Sequence, residues 1–258
     1  WYVYLLYTDT ISELECAVIG CTDELAVNFN PQANVTYSDS CSYNPAGYCG
    51  FLDSITYQGT TYGLAPINDQ CWFTKNLQTS VYRNGDSIPG NLNELEWASM
   101  SSGAQAVHPE LDLANHGRLY NWFAVDDSRG LCPTGWHVPS DDEWKSLESF
   151  LGLNETEIDN IGWRGNNQGD AVKSNDLDNP PWDGNNQYGL SLTQSYWRRA
   201  NGVFYNNPVG TYQTSSSMYS DCWFRSFSLD IGMIYRNRDT YFPSKGHGYS
   251  VRCLKDTE

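Results

Sequence analysis

The chain has 258 residues, enough for a main core and a small appendix. It carries 31 acidic against 15 basic residues, a net charge of -16, which argues against nucleic-acid and anionic-membrane partners. Aromatic residues make up 14% and charged residues only 18%, a profile that suits a loop-rich extracellular protein better than a cytosolic enzyme.

Eight cysteines, an even count, are spread over the whole length: Cys16, Cys21, Cys41, Cys49, Cys71, Cys132, Cys222 and Cys253. No CxxC pair occurs, so they read as four disulfides formed in an oxidising compartment rather than as zinc ligands. No apolar run approaches the roughly 20 residues of a membrane-spanning helix.

In chain order, residues 1–19 open with the apolar WYVYLLY and read as an edge strand or tether. They lack the basic start and initiating Met of an export signal, so the chain reads as beginning after processing or as a fragment. Residues 20–50 read as a small Cys-stapled module. Its Asn, Asp, Thr and Pro cannot bury a core, and a Cys21–Cys41 bridge would contribute about 3 kcal/mol in the chain-entropy model. Residues 51–258 read as the main domain. Around Gly59 and Gly63 the pattern is that of a hairpin. Asn91 to Met100 reads as a short helix, and GRLYNWFAV (117–125) has Leu119, Trp122 and Phe123 at helical spacing. Trp136, His137 and Val138 read as a short buried strand.

The best helix signal follows: Ser140 as N-cap, Glu143 completing a capping box, and Asp141 and Asp142 at the positive end of the dipole. Trp144, Leu147, Phe150 and Leu151 share one face, and Gly152 is the left-handed stop. Residues 154–201 are dense in Asn, Asp, Gly and Pro and read as long irregular structure. Strands return from Leu190 to Lys255. In DCWFRSFSL (221–229), Trp223, Ser226 and Phe227 cannot all point inward by strict alternation, which predicts a bulge.

Two resemblances are carried by motifs. Gly20, Cys21, Thr22, Asp23, Ala26, Asn28, Asn30, Pro31, Ala33, Ser40 and Cys41 match a short GCTD…SC repeat of secreted and surface proteins, which implies a spacer or anchor. From about Ser54 to Asp256 the chain resembles the major paralogous domain first noted in Fibrobacter. The resemblance rests on Gln70-Cys71-Trp72-Phe73-Thr74-Lys75-Asn76-Leu77, on GRLYNW at 117–122, on CPTGWHVPS at 132–140 followed by Glu143-Trp144, and on Gly248-Tyr249-Ser250-Val251-Arg252-Cys253. It implies an α+β, C-type-lectin-like fold, related to that of the formylglycine-generating enzymes. In that fold the first and last strands pair and long loops present a ligand face. It also implies a Cys132–Cys253 bridge. Cys71 and Cys222 are departures from the family pattern, which suggests that they bridge each other.

No catalytic constellation emerges, and the chain reads as a non-enzyme. His108, His116, His137 and His247 form no i,i+4 ligand pair, and His137 reads as a satisfied buried histidine. Nucleophile elbows, phosphate loops and HExxH strings are missing. The Glu-Pro-Asn, Gln-Pro-Asp and Trp-Asn-Asp strings of calcium-dependent lectins are missing too. No cofactor is expected, and a structural calcium in the Asp/Asn-rich loops is the one metal role considered.

The strongest functional signal is the aromatic and basic crowd at 196–245, because Tyr, Trp and Arg dominate interface hot spots. The expected ligand-binding residues are Arg198, Tyr205, Tyr219, Phe224, Arg225, Tyr235, Arg236 and Arg238, with Trp223 and Phe227 inward and Phe224 or Arg225 outward. They suggest a secreted, cell-surface or virion-tail adhesion module that binds a cell-surface protein or carbohydrate. The alternative is a self-assembling structural subunit of a filament, appendage or phage tail.

Overall fold

The hairpin around Gly59 is formed by β1 (Ser54–Tyr57) and β2 (Thr60–Ile67), paired antiparallel. Its two turn residues, Gln58 and Gly59, both take positive φ, as a two-residue turn matched to strand twist requires. The computed structural model describes residues 17–22, 30–35, 49–50, 52–178, 180–238 and 244–257, and the chain divides into two compact units, Trp1–Ala46 and Gly47–Glu258. In the first unit Ile19 bridges Val35 in parallel, and the Gly20 N–H donates to the Val35 carbonyl at 3.1 Å. A Cβ on Gly20 would lie 3.1 Å from the Ala33 Cβ, so the Gly and Ala of the short repeat pack on each other. Cys21 is disulfide-bonded. Cys16, Cys41 and the expected strand or tether at 1–15 lie outside the described residues.

The second unit continues with β3 (Gln70–Phe73), α1 (Glu94–Ala98), β4 (Gln105–Ala106), α2 (Leu113–His116), β5 (Leu119–Tyr120), α3 (Trp122–Val125), β6 (Trp136–His137) and α4 (Asp141–Phe150). It then adds β7 (Gly162–Arg164), β8 (Trp197–Arg198), β9 (Phe204–Tyr205), β10 (Val209–Met218), β11 (Asp221–Ser228), β12 (Ile231–Arg238), a 3-10 turn at Ser244–Gly246, β13 (Tyr249–Ser250) and β14 (Leu254–Lys255). The class is α+β with strand predominating. One sheet runs β1-β2-β3-β14-β6, a larger one β4-β5-β13-β10-β11-β12-β7, and β8-β9 is a ribbon. The last strand does not pair with the first: Leu254 of β14 lies opposite Trp72 of β3 and His137 of β6. The GRLYNWFAV segment is not one helix. Asn121 caps α3 and ends β5. Among the described residues no helix is long and apolar enough to cross a membrane.

The four motifs of the main domain meet in its interior. Arg252 is buried, and its guanidinium donates to Asn76 Oδ1 at 2.7 Å and to the carbonyls of Phe73, Leu190 and Ser191 at 2.7, 2.8 and 2.6 Å. Asn76 donates in turn to the His116 carbonyl at 2.9 Å. Gly117 sits at φ 73, where a Cβ would stand 2.6 Å from that of Asn76, so no larger residue fits. Phe73 packs on Trp136 with centroids 4.7 Å apart, and Trp72 on Trp144 at 4.9 Å. The motifs are therefore scaffold.

Disulfides join Cys132 to Cys253 and Cys49 to Cys71, with S–S distances of 2.02 and 2.01 Å. Cys71 thus does not bridge Cys222. The two lie in different sheets, and the buried Cys222 sulfur accepts from Gln213 Nε2 at 2.9 Å. Cys49 belongs to the second unit, not to the small module.

Helix α4 is capped by the reciprocal Ser140–Glu143 box, and Gly152 follows its end at φ 92. Its buried face departs from the apolar reading. Phe150 is 42% exposed and packs on Tyr188, while Asp141 and Glu148, two turns apart, are buried beside Trp144 and Leu147. These carboxylates meet three arginines from the inner face of the large sheet. Arg236 Nη2 donates to Asp141 Oδ2 and Arg225 Nη1 to Asp141 Oδ1, each at 2.7 Å. Arg225 Nε and Arg164 Nη2 both reach Glu148 Oε1, at 2.5 and 2.9 Å. Burial alone would raise the Asp141 pKa, but the hydrogen bond from Arg236 and the charge of Arg225 outweigh it and hold the carboxyl well below the usual range.

Between β7 and β8 the described residues form no named helix or strand. Their anchor is Lys173, fully buried, whose ammonium contacts Asp183 at 2.8 Å, Asp170 at 3.0 Å, and the carbonyls of Ser228 and Ile231 at 3.1 and 3.2 Å. The cation of this loop is supplied by the chain itself. Among the described residues no group of three His, Cys, Asp or Glu could hold a metal ion.

His137 is half-buried rather than buried. It bridges Glu143 at 2.8 Å and Asp256 at 2.6 Å, tying β6 to the start of α4 and to the C-terminal end. The hydrogen bond with Glu143 raises the His137 pKa against an opposing burial effect, with Asp256 adding to the rise. Burial would raise Glu143, but the hydrogen bonds from His137 and Ser140 bring it down to about 2.

Two stability predictions follow from these contacts. Replacing Glu148 by Gln leaves Arg164 buried without its anion and removes one of the two carboxylates that Arg225 contacts, and should cost about 3–5 kcal/mol in urea unfolding. A loss under about 1 kcal/mol would show that the network is not needed. For His137, the raised folded pKa means that its contribution is complete below about pH 6.5 and is lost as pH rises through the folded value. The difference in Tm between wild type and His137→Gln should therefore be larger at about pH 5.5 than at about pH 9; an equal difference at both would contradict the assignment.

Candidate functional site

The three long strands β10, β11 and β12 carry the site, and period-two alternation decides which side chains reach it. Tyr212 lies opposite Arg225, and Arg225 opposite Arg236; this row faces α4 and makes the ion pairs. The neighbouring row, Thr211–Ser226–Tyr235–Trp163, spans β10, β11, β12 and β7 and faces the other way. Phe224 and Asn237 form the next row on that outer face. The predicted irregularity in β11 is present between Ser226 and Ser228.

On the outer face six rings form a continuous line. Centroid separations are 5.1 Å for Trp163–Tyr235, 6.3 Å for Tyr235–Phe224, 5.2 Å for Phe224–Tyr249, 5.7 Å for Tyr249–Trp197 and 4.9 Å for Trp197–Tyr205. They line an open groove of about 480 Å³. Phe224 and Tyr249 are buried in its floor, and Trp163 is 40% exposed.

Polar groups are interleaved with the rings. Thr211 and Ser226 share a hydroxyl–hydroxyl bond of 2.9 Å, Asn237 Nδ2 donates to the Tyr235 hydroxyl at 3.0 Å, and Asn207 is exposed at the edge. None of the described residues lining the groove is Asp, Glu, Lys, Arg or His.

The eight residues expected to bind ligand therefore separate. Tyr205, Phe224 and Tyr235 come together in the groove. Arg225 and Arg236 do not; they are buried on the opposite face, bound to Asp141 and Glu148. Arg198 is also buried, its guanidinium over the rings of Trp97 and Phe204 at 4.4 and 4.7 Å and donating to the Gly202 and Leu92 carbonyls. Tyr219, 91% exposed, sits on the β10–β11 turn away from the groove lining. Arg238 contacts Met218 beside that turn and lies over Trp223 at 5.4 Å. Trp223 is on the inner face but only half-buried, covered by Arg236 at 3.7 Å. The expectation of an outward arginine surface is thus corrected: Arg225 and Arg236 are buried against the two carboxylates that α4 supplies, and Arg198 against carbonyls and ring faces.

Trp163, Trp197, Tyr249, Thr211, Ser226 and Asn237 were not foreseen as site residues. Alternation in β11 and β12 signals Ser226 and Asn237 once Phe224 and Tyr235 are taken as outward. Nothing local signals Trp163, which joins through its pairing with Tyr235.

Fold and groove together define a β-rich α+β domain with an uncharged aromatic cleft on the open face of its main sheet. The chain belongs to the Fibrobacter succinogenes major domain family, whose model matches residues 66–255. No curated protein and no solved structure matches it.

Groove and scaffold aromatics should respond differently to truncation. Trp163→Ala should change stability by less than about 1 kcal/mol, because the ring is at the rim. Trp136→Ala and Trp144→Ala should each cost about 3–5 kcal/mol. Equal losses in denaturant melts would make the groove rings part of the core.

Proposed function

We propose that the chain is a non-catalytic binding module, secreted or displayed on a cell or virion surface, in which the main sheet rather than the long loops of the C-type-lectin-like expectation presents the ligand face. The observation that carries this reading is the unbroken line of six rings in one open groove. Exposed aromatic surface is costly in water and marks contact sites, and concave aromatic clefts with a few fixed polar groups are the usual form of a ligand site. The ion pairs and α4 behind the sheet hold the groove rigid, so little ordering cost falls on binding. The disulfides of the second unit and the bonded Cys21 suit an extracellular setting.

The test is retention of labelled protein on a panel of bacterial cell surfaces. A Trp197→Ala/Tyr235→Ala double variant with an unchanged melting curve should lose at least about thirtyfold in apparent affinity, the equivalent of one hot-spot residue. Tyr219→Ala, exposed but outside the groove lining, should match wild type. Equal retention of the double variant would overturn the reading.

A further inference from the structure

We infer that the groove takes an extended, neutral oligosaccharide. The inference rests on the groove being the ligand site and adds the chemistry of its occupant.

Three features converge on that class. The first is shape. The rings run in sequence across β7, β12, β11, β13 and the β8–β9 ribbon, with successive centroids 4.9 to 6.3 Å apart. A track of this kind suits a chain of repeating units, each with an apolar face to lay on a ring, better than one compact ligand. Sugar rings offer such faces in their axial C–H groups.

The second is hydrogen-bonding character. The polar groups between the rings are hydroxyls and carboxamides, those of Thr211, Ser226, Asn207 and Asn237. Each of these groups can both donate and accept. Hydroxyls of a sugar do the same, and each protein group keeps capacity beyond its internal bond: the Thr211–Ser226 pair uses one hydrogen of two hydroxyls. A proline-rich peptide also lies on aromatic grooves, but it offers mainly carbonyl acceptors and few donors for the remaining acceptor capacity of the hydroxyls and of Asn207; Asn237 Oδ1 already accepts from the Arg238 N–H at 2.8 Å.

The third is charge. No lining side chain among the described residues is ionised at neutral pH. Arg225 and Arg236, which a purely compositional reading would aim at an acidic partner, are neutralised on the other face. Arg199 lies over the Tyr205 ring at 4.9 Å but does not line the groove. A chain of net charge -16 whose cleft lining is uncharged offers a polyanion little beyond Arg199, which also lies 5.8 Å from the Trp197 ring. Binding should therefore be insensitive to salt, in contrast to any electrostatically driven partner.

The test is titration of the intact chain, followed by tryptophan fluorescence and calorimetry. The probes are linear oligomers of glucose, xylose, mannose and N-acetylglucosamine, their monosaccharides, an oligogalacturonate and a proline-rich peptide. At least one neutral oligomer should bind, at least about tenfold tighter than its monosaccharide, with less than about twofold change between roughly 0.05 and 0.5 M salt. Tyr235→Ala should weaken it at least about tenfold, and Trp163→Ala, at the exposed rim, gives the same readout if Tyr235→Ala unfolds. The inference is overturned if none of the neutral oligomers binds, if only the oligogalacturonate binds and salt abolishes it, or if the peptide alone binds through Tyr235. Should surface retention still depend on Trp197 and Tyr235 when every sugar fails, the groove remains the ligand site and only its assigned occupant is wrong.

Discussion

Two carboxylates on one face of α4, Asp141 and Glu148, hold three arginines that the large sheet projects inward. Most of what distinguishes this domain depends on that arrangement. An unpaired buried charge is expensive, whereas a paired cluster is tolerable, and here each arginine contacts a carboxylate although Arg164 Nε makes no hydrogen bond. Each strand must therefore present its arginine to the helix, and a one-residue slip of β11 or β12 would carry it to the opposite face. The same registration sends Phe224, Ser226, Tyr235 and Asn237 outward. The polar inner face and the aromatic outer face are two consequences of one register.

The family motifs reinforce this from the other side of the core. Arg252, Asn76 and Gly117 bond or pack on each other, and Arg252 also holds the carbonyls of Leu190 and Ser191, the end of the long loop. Lys173 anchors the first part of that loop through two carboxylates and two carbonyls. Internal cations thus organise a segment poor in regular structure. The Cys132–Cys253 bridge joins the turn before β6 to the residue before β14. The matched motifs account for most of the scaffold, and the groove residues Trp163, Tyr205, Phe224 and Tyr235 lie outside them, whereas Tyr249 of the closing motif forms part of the groove floor.

What was legible in the sequence follows the range of each interaction. The Ser140–Glu143 box, the Gly152 stop and the Gln58-Gly59 turn are local, and their residues signal them directly. The Cys132–Cys253 pair was reachable only through resemblance, since cysteine positions do not fix connectivity; Cys71 shows this, having a neighbour in Cys49 rather than Cys222. The site was half legible. Aromatic crowding located the right strands and picked out Tyr205, Phe224 and Tyr235. It also swept in Arg225 and Arg236, because composition does not tell one strand face from the other. The missing information was a partner: Glu148 and Asp141, more than 70 residues upstream of those arginines. Trp163 was invisible for the same reason, as its place beside Tyr235 depends on a strand pairing.

A sheet charged and sealed behind and aromatic in front underlies the proposed recognition by ring stacking rather than by charge. The division of faces can be read in solution by hydroxyl-radical footprinting of the native chain with residue-level mass spectrometry. Trp163, Trp197 and Tyr235 should be oxidised well above Trp72 and Trp144, which pack on each other in the core, Trp144 on the buried face of α4. Protection of Trp163 and Tyr235 equal to that of Trp72 would mean that the outer face is covered, and the account of an open aromatic groove would fail.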